Sequence, residues 1–102
     1  MSEIAMLGDR DSILGFKSLG VSVFPVNSKE ECVTALKEVI RQDYKVAFIT
    51  EQMAPDPDEI SRLLFGRTFP VVTMIPSNRG ATGMSMRRLQ ELVRKAAGAD
   101  VL

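Results

Sequence analysis

The chain is 102 residues long, enough for one compact domain and too short for two. Hydrophobic residues make up 45% of it and charged residues 25%, with 13 basic side chains balancing 13 acidic ones. That balance argues against a nucleic-acid module, the lack of histidine removes the usual neutral-pH base and commonest zinc ligand, and the lone Cys32 permits neither an internal disulfide nor a thiolate metal cluster.

The first apolar run, EIAMLG (3–8), is closed by Gly8-Asp9 and reads as a buried strand. SILGFKSLG follows, with Ile13, Leu14, Phe16 and Leu19 near a helical stripe and Gly20 as its C′ residue. Asp9 or Asp11 is the natural N-cap. VSVFPV (21–26) alternates and is rich in β-branched residues, a second strand. Pro25 cannot donate to a ladder, which places it on a sheet edge or at the strand's end. Ser28 and Glu31 then form a capping box that opens a helix with Val33, Leu36, Val39 and Ile40 on its apolar face. Cys32 falls beside that face and reads as a buried structural thiol.

KVAFIT (45–50) is a third strand, nearly all apolar and therefore central. Beyond the acidic EQMAPDPDE, a helix starts with Asp56 at the N-cap, Pro57 at N1 and Glu59 at N3. Its inner stripe is Ile60, Leu63 and Leu64, and Gly66 ends it. PVVTMI (70–75) is the fourth strand. The polar loop IPSNRGATG (75–83) hands the chain to a last helix over 84–97, with Met86, Leu89, Val93 and Ala96 on one face and Gly98 as its stop.

Strand and helix alternate throughout, which implies a parallel sheet with right-handed crossovers. The fold class expected is α/β: a small doubly wound, flavodoxin- or receiver-like four-stranded parallel sheet of order 2-1-3-4 with a C-terminal helix. The division expected is a βα domain over 1–76, then crest loop, helix and tail over 77–102. A fifth strand, usual in that arrangement, has only the short tail ADVL to form it. The N-terminus has an acid at its third residue and no basic region, unlike a secretory signal. No apolar run approaches the roughly 18 residues that span a bilayer, so a soluble cytoplasmic protein without membrane insertion is expected.

Charge is unevenly spread. Glu51, Asp56, Asp58 and Glu59 cluster without a base, while Arg79, Arg87, Arg88, Arg94 and Lys95 stand against Glu91 alone. Such poles suit electrostatic steering onto a protein partner, or are simply two solvated helix faces.

Ligands of a doubly wound sheet bind beyond the carboxyl ends of its strands, here residues 8–12, 25–27, 50–52 and 77–79. No P-loop or dinucleotide fingerprint occurs there, since Gly80 and Gly83 are a lone pair after the last strand. A phosphoacceptor receiver would use Asp9 and Asp11 for magnesium, but it needs an aspartate where this chain has Thr50-Glu51. Ser12 and Ser77 have no histidine partner. No cofactor, metal or catalytic residues are assigned. The chain reads as a binding part rather than an enzyme, with a receiver-like signalling domain or a small-ligand-binding α/β domain as the alternatives.

As a set, GDRDSILGFKSLGVSVFPV (8–26), FITE (48–51), PVVTMIPSNRGATG (70–83) and the ending VRKAAGADVL resemble the F subunit of the V-type and archaeal A-type rotary ATPases. The resemblance runs over essentially the whole chain. It implies a non-catalytic central-stalk protein that docks on the coiled-coil shaft, the D subunit, below the catalytic A/B hexamer. Such a protein rotates with the shaft, couples ATP turnover to proton or sodium transport, and influences ATP hydrolysis through its C-terminal part. Its place is peripheral, on the cytoplasmic face of the membrane. By analogy, the partner-binding residues are Ser77, Asn78, Arg79, Arg87, Arg88, Glu91, Arg94 and Lys95.

Overall fold

The fold is described from a computed structural model for residues 3–75 together with residues 91, 94 and 95. The expected division at residue 76, the extent of the last helix and the tail, and Ser77, Asn78, Arg79, Arg87 and Arg88 lie outside these described residues.

The first strand lies in the middle of the sheet. Strand β1 (Ile4–Gly8) is buried along its whole length, as an apolar run with no alternation requires. It pairs in parallel with β2 (Ser22–Pro25) on one side and β3 (Val46–Thr50) on the other, and β3 pairs in parallel with β4 (Val71–Ile75). The order is β2-β1-β3-β4, as the alternation of elements predicts.

Helix α1 (Arg10–Ile13) is one turn long, and the chain continues as a 3₁₀ stretch, Leu14–Leu19, where the sequence predicts a single helix. Gly15 inside this segment weakens the α form, and Gly20, at φ 84°, closes it in the left-handed region. Asp9 is the N-cap: its Oδ2 accepts from the Ser12 N–H at 3.2 Å and from the Ser12 hydroxyl at 2.7 Å. Helix α2 (Lys29–Arg41) opens on Ser28, whose Oγ accepts from the Glu31 N–H at 3.1 Å. The reciprocal half of the box is displaced by one residue, because the Glu31 carboxylate accepts from Asn27 N–H at 3.1 Å rather than from Ser28. Helix α3 (Pro57–Leu63) has Asp56 at its N-cap without a side-chain cap bond and Pro57 at its first turn. The acidic segment before it holds a 3₁₀ turn, Glu51–Met53.

Two cores result, one on each face of the sheet. Helices α2 and α3 cover Ala5, Leu7, Ala47 and Ile49 with Cys32, Leu36, Val39 and Ile60. Cys32, not Val33, supplies the buried turn of α2, and burial pushes its thiol up to about 11. On the other face Ile13 and Phe16 cover Ile4 and Met6. Beyond them, over β3 and β4, Val46 and Phe48 are half-buried while Val71 and Thr73 are exposed.

The two outer strands differ. The Val26 N–H donates to the Gly8 carbonyl at 2.9 Å, so Ser22, Phe24 and Val26 turn their backbone groups inward. Val23 and Pro25 face outward, and the proline stands where its missing N–H breaks no ladder bond. On β4 the Val71 N–H donates to the Lys45 carbonyl at 2.9 Å, which turns Val71, Thr73 and Ile75 inward. Val72 and Met74, which face Ala47 and Ile49 in the register, present their own backbone groups outward, and no described residue hydrogen-bonds to those groups.

Candidate functional site

The topological switch lies between β1 and β3, where successive connections leave in opposite directions. A crevice of about 250 Å³ opens there, lined by Asp9, Arg10, Asp11, Val26, Asn27, Gln52 and Met53. The sequence places the crest over 8–12, 25–27 and 50–52, and all of the lining except Met53 falls within those ranges. Met53 is one residue beyond, on the 3₁₀ turn that the acidic segment forms.

The chemistry of the crevice is set by its caps. One Asp9 oxygen already serves the N–H and the hydroxyl of Ser12, while Oδ1 is buried with no hydrogen-bond partner. The carboxylate closes the start of α1, which leaves no free N-terminus for an anion. Among the described residues, no three His, Cys, Asp or Glu side chains converge as metal ligands. Ser12 is buried, and its hydroxyl donates to the Asp9 carboxylate.

The end of β3 decides the receiver reading. Thr50 stands where a phosphoacceptor aspartate would be required, and it is 0% exposed. Its side chain lies against Gly8, close enough that a Cβ at position 8 would sit 2.3 Å from Oγ1. A group so enclosed offers no acceptor to a phosphodonor.

Of the sequence-predicted partner-binding residues, Glu91, Arg94 and Lys95 are described: all three are helical and exposed. Spaced i, i+3 and i+4, they form one charged stripe. In the acidic segment, Glu51, Asp56 and Asp58 are exposed and Glu59 is half-buried. No helix among the described residues is long and apolar enough to cross a membrane.

The fold and its crest thus define a receiver-like, doubly wound α/β domain that lacks the acceptor aspartate of receivers. Sequence comparison makes the class particular. The family described as ATP synthase (F/14-kDa) subunit matches over residues 4–93, and the chain belongs to this family. It is 38% identical over 100 residues to the V-type ATP synthase F subunit of Clostridium botulinum (strain Eklund 17B / Type B), covering 98% of this chain and 97% of that protein. The V-type ATP synthase F subunit of Clostridium perfringens is 36% identical, with 98% and 95% covered. The A-type ATP synthase F subunit of Methanosphaera stadtmanae is 26% identical over 103 residues, with 99% and 97% covered.

Proposed function

We propose that this chain is a non-catalytic central-stalk component of a V/A-type rotary ATPase. It docks on the coiled-coil shaft, the D subunit, beneath the catalytic A/B hexamer, turns with the shaft, and takes part in coupling ATP turnover to proton or sodium transport. Its C-terminal part regulates ATP hydrolysis, and the whole complex holds it at the cytoplasmic face of the membrane. The observation that supports this reading is the match at nearly full length in both directions to relatives named as F subunits.

The docking surface proposed is the crest loop and last helix: Ser77, Asn78, Arg79, Arg87, Arg88, Glu91, Arg94 and Lys95. The exposed stripe of Glu91, Arg94 and Lys95 supports it, because a cationic helix face raises the encounter rate with an acidic partner. Titration of the purified shaft protein with the R87E/R88E/R94E variant tests the assignment. The expected result is a weaker complex with a slower association rate and a smaller salt dependence than the native chain gives. An unchanged titration removes these residues from the interface.

A further inference from the structure

Five large hydrophobic side chains are exposed among the described residues: Leu14, Phe65, Phe69, Val71 and Met74. Four of the five fall within residues 65–74, on the turn between α3 and β4 and on β4 itself. Phe65 is the most open of them, at 88% exposure. It lies off the inner stripe of α3 and just before Gly66, whose φ of 77° turns the chain toward the base of the sheet. Phe65 and Phe69 flank this one turn, whereas Val71 and Met74 lie on opposite faces of β4, so the exposed apolar surface considered is the turn itself.

The turn borders a cavity of about 410 Å³ lined by Asp43, Lys45, Gly66, Arg67, Thr68 and Phe69. It is at the amino ends of β3 and β4, opposite the crest. Two cations frame it. The Lys45 ammonium stands 4.6 Å from the centroid of the Phe69 ring, and the Arg67 guanidinium donates at 3.4 Å to the Phe69 carbonyl and at 3.5 Å to the Ile40 carbonyl. These are long bonds to neutral groups, and the contact of Arg67 with the exposed Asp43 is loose, at 3.8 Å. The guanidinium is therefore positioned but not neutralised by a close carboxylate. Among the residues that line the cavity, two cations stand against one anion.

We propose that the base of β3 and β4 is a second docking surface, which receives a helix of a neighbouring subunit carrying a large aliphatic side chain flanked by Asp or Glu. The aliphatic group enters the cavity against Phe69, with Phe65 on the turn beside it, and the carboxylate pairs with Arg67. Aromatic and arginine side chains at the centre of a patch are the composition of interface hot spots. An anionic membrane is a poorer match, because lipid surfaces select clusters of about 4–8 cations without an acid among them. The proposal rests on the reading of the chain as a component of a larger complex.

The test uses the assembled complex, with the photo-reactive residue p-benzoylphenylalanine in place of Phe65 and, in a separate preparation, in place of Arg87. Illumination is expected to join position 65 to another protein of the complex within a segment that has Asp or Glu beside Leu, Ile or Val. Arg67→Glu in the same chain is expected to lower the yield about tenfold, and Lys in place of the mapped carboxylate to restore it. A position-65 probe that reacts with lipid, with a second copy of the chain, or with nothing while position 87 reacts with the shaft overturns this surface and leaves the proposed function standing. If neither position reacts in a complex that contains the chain, both readings fall.

Discussion

Gly8→Ala isolates the closest tertiary approach in the fold. An added Cβ would lie 2.3 Å from Oγ1, 2.5 Å from Cγ2 and 2.9 Å from Cβ of Thr50, while carbon atoms in contact need about 3.5–4.0 Å. Neither side can yield easily. Gly8 pairs through its backbone with β2, and Thr50 is wholly buried, with a β-branched side chain of few rotamers. Overpacking of this kind costs about 2 kcal/mol, which for a domain of this size lowers Tm by roughly 10 °C. Thr50→Ala alone costs about 1 kcal/mol, for one buried methyl group, because its Oγ1 has no hydrogen bond to lose. The G8A/T50A double variant moves a methyl group from one side of the contact to the other. It removes the two closest contacts but leaves Cβ of residue 50 at 2.9 Å from the new methyl group, so it should recover part of the loss, with a coupling energy of about 1–3 kcal/mol. Urea unfolding of the four proteins at a common m-value measures this. Additivity within about 0.5 kcal/mol would show that the contact between the two side chains does not limit position 8.

Three further outcomes follow from other parts of the structure. Cys32 has its thiol pushed from 9.0 to about 11 by burial, so between those values the unfolded chain releases a proton that the folded chain keeps. Stability therefore falls as pH rises through this window, by about 1.4 kcal/mol per pH unit. Cys32→Ala should lack that component, and a native-minus-variant stability difference that stays flat from about pH 8 to 10.5 contradicts it. Ser28→Ala should cost about 1 kcal/mol in thermal unfolding through the lost cap on Glu31 N–H, whereas Ser28→Asp should cost a few tenths at most. Tyr44→Phe removes a 2.8 Å bond to the Ser22 hydroxyl and should cost about 1 kcal/mol. Tyr44→Leu should cost more, because the ring also meets Phe24 edge-on at 5.9 Å, and equal losses for the two variants would show that the ring contact contributes nothing.

Local signals carried most of the fold. Caps at Asp9 and Ser28, the left-handed Gly20 and Gly66, and Pro25 on an outer strand are each readable within a few residues, and each is found where local chemistry puts it. The sheet order followed from alternation and crossover handedness. Contacts between distant residues were not readable. Nothing near Gly8 announces Thr50, 42 positions away, because that pairing exists only once β1 and β3 lie in register. The one-turn α1 was missed because Ile13, Leu14, Phe16 and Leu19 satisfy a 3₁₀ stretch as well as an α-helix at this length. At the crest, the ranges were legible from topology, but the enclosure of Thr50 depends on packing. The base of β3 and β4 carried a readable trace in LLFGRTFP, where Phe65 falls off the inner stripe of α3.

The unlike borders of the sheet give the molecule a direction of growth. At β2 an incoming strand meets only one outward N–H, from Val23, because Pro25 has none. At β4 it meets the N–H and carbonyl of both Val72 and Met74, a full repeat of the parallel ladder. Any strand added to this sheet, whatever its origin, would be templated past β4 and discouraged past β2. Among the described residues the sheet can thus be extended on one side, but it is poorly built to propagate as an open-ended stack.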